Sequence, residues 1–147
     1  MKPNAQRTAM FRVLEGSRAG DAIALTQGTC RLVGRHLAED DTLLLQRDGR
    51  RKLDDGAVTR IEELLAVGKG DGGGGLASFD RGDDILLGDE AISRAHAMLF
   101  FDPQGVGIVD LASTNGTLVN GKSVSAAKLR SGDALEIGNT KLSVEIS

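Results

Sequence analysis

Short apolar runs broken by turn residues set the rhythm of this chain. Phe11–Leu14 ends at Glu15-Gly16-Ser17, Ala22–Leu25 at Gln27-Gly28, and Cys30–Val33 at Gly34. The rhythm returns downstream, where Ala97–Phe101 enters the turn Asp102-Pro103-Gln104-Gly105 and Val106–Leu111 leaves it. Pro presets φ at the second position of such a turn, and Gly relaxes its exit. Leu118-Val119 and Val124 flank Asn120-Gly121, a pair that tolerates the positive φ of a tight hairpin. Beyond Ala134–Ile137 and the turn pair Gly138-Asn139, Leu142, Val144 and Ile146 alternate with Ser143 and Glu145. That period of two predicts a strand with one buried and one wet face. Strands of this kind at this spacing predict an all-β sandwich or barrel.

A stretch of different character, 41–83, interrupts the pattern. Leu43–Leu45 is a candidate strand, and 47–52 is a charged turn. Thr59-Arg60-Ile61-Glu62 has the form of a capping box, in which Thr59 accepts from the Glu62 N–H and Glu62 reaches back. Ile61, Leu64 and Leu65 then share one helical face, so a short helix is expected near 59–67. Six of the eight residues from Gly68 to Gly75 are glycine, which predicts a flexible linker. The Gly68-Lys69 pair within it does not make a phosphate loop, which needs Ser or Thr after the Lys and a strand before the loop. At the other end, 1–9 is expected to be a tail, leaving 10–147 as the domain with 41–83 inserted.

Composition narrows the classes. The 147 residues carry 18 basic and 21 acidic side chains, a net charge of −3. Nucleic-acid and membrane-surface binders depend on excess Lys and Arg, so neither partner is expected. The lone Cys30 excludes an intrachain disulfide, and two His beside it argue against a zinc site. No apolar run approaches the ~18 residues of a membrane span, and Met1–Arg7 has no apolar signal region, so a cytoplasmic setting is expected. Aromatic content is only 3%, all of it Phe, so Leu, Ile and Val must fill the core.

Three local sequences fall at predicted strand ends, where loops converge on one face: Gly34-Arg35, Ser93-Arg94-Ala95-His96, and Ser113-Thr114-Asn115-Gly116-Thr117 followed by Asn120-Gly121. Leu129-Arg130-Ser131-Gly132-Asp133 and Ile137-Gly138 complete the series. In this order the motifs resemble the forkhead-associated (FHA) domain family, over about 10–40 and 84–147. The resemblance implies a β-sandwich of about eleven strands that reads phosphothreonine in partner proteins, without catalysis and without a cofactor or metal. The family spaces its Gly-Arg and Ser-Arg-x-His motifs by one turn and one strand. Here the spacing adds roughly 40 residues, an inserted short helix and Gly-rich loop at a surface position where additions are tolerated.

A phosphothreonine presents about −1.5 to −2 charges and three acceptor oxygens. Arg35 offers a planar fork of donors, Ser93 a hydroxyl, and Asn115 both a donor and an acceptor for peptide main chain. By resemblance these are the phosphopeptide-binding positions, with Arg94 contacting the phosphate or peptide and Thr114 closing around the phosphothreonine side chain. Gly34, His96, Gly116 and Asn120 match positions that hold the loops in shape. His36, next to Arg35, is read as solvent-facing, with a place near the phosphate as the alternative. The partners implied are phosphothreonine proteins and the Ser/Thr kinases that mark them.

Three other readings stand beside this one. A phosphate-independent scaffold of a secretion or signalling complex would use the insertion as its contact surface, Ile61, Leu64 and Leu65 needing an apolar partner; alternatively the helix packs on the sandwich. Ser93 and His96 could be nucleophile and base, but no acidic residue to orient the His is identifiable in the sequence. Thr8, after Arg7, is a candidate phosphorylation site that would dock in the protein's own groove, intramolecularly or in a dimer.

Overall fold

The structure is a computed structural model, and it describes residues 7–36, 53, 55–66 and 76–147. The expected strand Leu43–Leu45, the charged turn 47–52 and the glycine tract 68–75 lie outside the described residues. Among the described residues, twelve strands and one α-helix follow in chain order: β1 Thr8–Glu15, β2 Ala22–Thr26, β3 Thr29–Arg35, α1 Asp55–Ala66, β4 Asp80–Arg81, β5 Ile85–Leu87, β6 Ala97–Asp102, β7 Gly105–Asp110, β8 Thr117–Val119, β9 Lys122–Val124, β10 Ala126–Leu129, β11 Ala134–Ile137 and β12 Thr140–Ile146. They form two sheets. One runs β2-β1-β12-β11-β8-β9; the other runs β10-β7-β6-β3-β4, with β5 also on β3.

The two inner faces make the main core. Phe11, Leu25, Leu135, Ile137 and Val144 of the first sheet meet Val33, Leu87, Leu99, Phe101 and Ile108 of the second. Alternation in β12 follows the predicted pattern: Leu142 and Val144 are buried while Glu145 is exposed. The predicted turns are also present. Asp102 accepts from the N–H groups of Gln104 and Gly105 at 2.8 and 3.1 Å. Asn120 and Gly121 take φ of 52° and 84°, as a two-residue hairpin between β8 and β9 requires. At Gly138 the φ is 60°, and a Cβ there would lie 2.7 Å from Ile92 Cγ1, so only glycine lets this turn press against the 89–92 loop.

β4 and β5 both run parallel to β3. Consecutive parallel strands cannot be joined by a hairpin; they need a crossover of a dozen or more residues, usually with a helix. Helix α1 supplies it, lying on the outer face of the second sheet. Ile61 is fully buried in a second apolar cluster with Cys30, Leu32, Met98, Phe100, Val109 and Leu111, and Leu64 and Leu65 pack against it. The apolar face of the inserted helix is therefore covered by the sandwich itself.

Some boundaries differ from the expectations. α1 starts at Asp55, so Thr59 lies inside the helix and caps nothing. Asp55 in the first turn suits the positive end of the helix dipole, and Glu62 accepts from the Leu76 N–H at 2.7 Å across the connection to β4. β1 begins at Thr8, inside the stretch read as tail, because Ala9 is buried and pairs with Leu25 and Ile146. β4 and β10 carry too short an apolar signal to be predicted: a Asp-Arg pair and an Ala-Ala-Lys-Leu edge.

Cys30 faces the helix-covered side. Burial, reinforced by Asp80, pushes its thiol up to about 11 against the opposing pull of Arg81. The thiol therefore stays protonated near neutral pH and is a poor nucleophile. An aromatic disulfide reagent is expected to leave the folded protein unmodified at about pH 8 and to titrate Cys30 fully once the chain is denatured. Rapid labelling of the native protein would contradict this placement.

Candidate functional site

The end of the sandwich where β3 and β7 stop gathers the predicted residues. Arg35 is the last residue of β3 and is half-buried. Its N–H donates to the Ser93 carbonyl at 3.1 Å, while the following residue, the exposed His36, donates to Leu87 O at 2.9 Å. These two bonds fix the Arg35 backbone beside Ser93. Gly34, one residue earlier, is buried and pairs with Leu86.

Ser93 is tied to the opposite loop through its side chain, whose Oγ accepts from the Thr114 N–H at 3.1 Å. The hydroxyl hydrogen is not used in that bond, so it remains a donor. Asn115 reaches back with Nδ2 to Ala91 O at 2.8 Å. One amide hydrogen is thereby engaged, leaving a second hydrogen and the carbonyl oxygen as donor and acceptor. Thr114, Asn115 and Arg94 are exposed. A half-buried arginine, a free hydroxyl hydrogen and an exposed amide thus belong to residues gathered at one mouth.

Below them His96 is fully buried and joins both loops. The Ser93 N–H donates to His96 Nδ1 at 3.0 Å, so the imidazole hydrogen sits on Nε2, which faces Gly116 O at 2.8 Å. Gly116 has φ 80°, bringing that carbonyl inward, and its own N–H donates to Ser113 Oγ at 3.0 Å.

The residue missing from the sequence reading is Asp110. It ends β7, is buried, and accepts from Ser113 N–H at 3.1 Å, Ser113 Oγ at 2.5 Å and Thr117 Oγ1 at 2.7 Å. Its Oδ1 is 4.0 Å from His96 Nε2. An acidic residue does therefore stand near the imidazole, contrary to the sequence expectation. It does not make a catalytic set, since Nδ1 is occupied by the N–H of Ser93 and neither ring nitrogen addresses the Ser93 hydroxyl. The one available signal was Asp110 three residues before Ser113 and seven before Thr117, a spacing suited to a carboxylate gathering the donors of its own loop.

Asn120 supports the site from the neighbouring hairpin. Its side chain donates to Asp133 Oδ1 at 3.0 Å and accepts from the Ala134 N–H at 2.9 Å, locking the β8–β9 turn to the 130–134 turn. The Asn120 bond, then the Arg130 N–H, hold the Asp133 carboxyl below its ordinary value. Thr8 lies at the far end of the sandwich, paired with Thr26 in the hairpin from which β3 sets out. A phosphate on Thr8 could not reach the Arg35 end of its own molecule while β1 stays in the sheet. Among the described residues, no group of His, Cys, Asp and Glu is arranged to hold a metal ion, and no helix is long and apolar enough to cross a membrane.

Comparison with known proteins agrees with this architecture. Residues 70–138 match the family model of the FHA domain. The chain is 33% identical over 103 residues to the glycogen accumulation regulator GarA of Mycolicibacterium smegmatis, covering 60% of this chain and 65% of GarA. It is 47% identical over 60 residues to the ABC transporter ATP-binding/permease protein Rv1747 of Mycobacterium tuberculosis, covering 41% of this chain and 7% of that protein. The chain thus spans less than two thirds of the length of either relative. In fold it is similar to Mycobacterium tuberculosis EmbR, solved in complex with a low affinity phosphopeptide, with a TM-score of 0.56, 20% identity, and coverage of 95% of this chain and 24% of that one.

Two predictions follow from the geometry. Asp110→Ala strips three donors of their acceptor, so it is expected to destabilise the fold by about 3 kcal/mol or more in denaturant unfolding. Asp110→Asn, which keeps an acceptor oxygen, should cost less. Asp133, whose folded pKa is depressed, contributes stability that is present above its unfolded pKa and is lost as pH falls through the folded value. Asp133→Asn should therefore shrink the loss of stability on acidification below roughly pH 4, and an unchanged acid limb in thermal melts would refute the coupling.

Proposed function

This chain carries a forkhead-associated (FHA) domain, and we propose that it is a non-catalytic module that binds phosphothreonine peptides of proteins marked by a Ser/Thr kinase. The observation that carries the proposal is the juxtaposition of Arg35 and Ser93, held by the bond from the Arg35 N–H to the Ser93 carbonyl. In this reading the Arg35 guanidinium and the Ser93 hydroxyl take the phosphate oxygens, with Arg94 at the rim. Asn115 aligns the peptide backbone, and Thr114 closes on the threonine side. Gly34, His96, Gly116 and Asn120 keep the loops in register. Segment 41–83 is an insertion within the domain rather than a domain of its own, and the setting is cytoplasmic.

The reading draws support from charge as well as position. A dianionic phosphate held by a guanidinium fork gains charge-assisted bonds of about 1.5–3 kcal/mol each. Such a grip needs a few placed donors, not a cationic surface, and so suits a chain of net charge −3. The hydrolytic alternative loses its proposed base, as His96 Nδ1 already accepts from the Ser93 N–H. The insertion-based scaffold loses its motive, because Ile61 is packed against the sheet.

An oriented phosphothreonine peptide library supplies the test. Selected peptides should bind in calorimetric titration, and their unphosphorylated forms should not. Arg35→Ala should weaken binding by at least ~100-fold, the loss of two charge-assisted bonds, with an unchanged melting temperature. Equal binding of both peptide forms, or undiminished binding by Arg35→Ala, would overturn the assignment.

A further inference from the structure

The inserted helix touches the loops that would hold the ligand. Arg60, on α1, donates from Nε to the main-chain carbonyl of Asp110 at 2.6 Å. That carbonyl belongs to the last residue of β7, where the sheet ladder stops and the 111–116 loop begins. The carboxylate of the same residue holds Ser113 and Thr117. Arg60 therefore anchors the backbone of the residue that organises the loop. One residue on, Ile61 is fully buried in the cluster that also contains Leu111, the first residue of that loop. Ala95, from the Ser93–His96 loop, packs against the same cluster.

We propose that α1 is a brace for the ligand loops, and that Arg60 is its positioning residue. The inference rests on the phosphothreonine reading for its functional consequence, but not for its structural content. Both loops end on one apolar cluster, and the helix reaches that cluster through Ile61 and the strand end through Arg60. Removing the Arg60 bond leaves the Asp110 carbonyl without its donor at the point where β7 gives way to the loop. The Asp110 carboxylate is then free to shift, and with it the Ser113 and Thr114 backbone that meets Ser93 Oγ. Arg60 touches neither phosphate nor peptide in this scheme. It sets how far the loops are preorganised before the ligand arrives, so that less ordering is left for binding to impose.

The test uses the full chain with Arg60→Ala, Arg60→Lys and the peptide selected above. Amide hydrogen exchange of Ser113 and Gly116 should accelerate roughly tenfold in Arg60→Ala, matching the loss of about one charge-assisted bond. Exchange of Val144 in β12, remote from the helix, should not change. Peptide affinity should fall by a similar factor, and Arg60→Lys, which keeps a donor and its charge, should recover part of both losses. Should Arg60→Ala not fold, Arg60→Gln carries the same measurements. Unchanged loop exchange, or an equal acceleration at Val144, would overturn the brace. The exchange measurements need no ligand, so they judge the brace even if wild-type protein fails to bind phosphothreonine, an outcome that would sink the function alone.

Discussion

The Asp110 carboxylate is shut away from solvent where β7 ends, and a buried charge is tolerable only when hydrogen-bond donors converge on it. Here the donors come from its own loop, two from Ser113 and one from Thr117. Satisfying the carboxylate therefore dictates the loop's path. The chain must fold back within seven residues, and Gly116 at positive φ permits it. That path turns the Gly116 carbonyl towards His96, and His96 in turn takes the N–H of Ser93. Two loops far apart in sequence are thus held by one chain of polar contacts in which each member satisfies the next. Partial satisfaction of such a network would be worse than an apolar substitute, so its members stand or fall together.

The second constraint is topological. A parallel neighbour for β3 demands a long return path, and this chain spends it on α1. Once on the outer face, the helix must bury Ile61, Leu64 and Leu65, and the sheet must cover Leu32, Met98, Phe100 and Val109. Each side solves the other's exposure. Full burial of one such side chain is worth about 1.5–3 kcal/mol, so the helix contributes to the domain rather than hanging from it. Helix α1, between the Gly-Arg motif and the Ser-Arg-x-His motif, is consequently part of the same packing unit as both.

Much of this was legible in the sequence because its signals are local. A turn such as Asn120-Gly121 declares itself by its own φ requirement, and the alternation of β12 by its own side chains. The candidate site residues could be named for another reason: Arg35, Ser93 and Asn115 sit in short motifs of unusual residue order, and the structure brings those motifs to one end of the sandwich. What escaped were features whose cause lies elsewhere in the fold. Thr59 and Glu62 have the local form of a cap, yet α1 begins at Asp55 and runs through them. The Asp80-Arg81 strand exists only because the edge of β3 is open to it. Asp110 reads as an ordinary acidic strand end, and its importance depends on burial that no local pattern announces.

The electrostatics of the mouth follow from this division between scaffold and site. Overall the chain repels anions weakly, with a net charge of −3. Charges beyond about 8 Å are largely screened at physiological ionic strength, so among the described residues an arriving phosphate would answer chiefly to the side chains at this mouth, Arg35, Arg94 and Ser93. Burial then separates the two arginines. Arg35 is half-buried at the end of a strand whose backbone is bonded to Ser93, whereas Arg94 is exposed. On the proposed phosphothreonine reading, Arg35 would carry the grip at the strand end, with Arg94 at the rim. A grip of that kind depends little on bulk charge and greatly on geometry. Geometry here is set by the polar network under the loops, and that network is seated on the strand end that Arg60 holds.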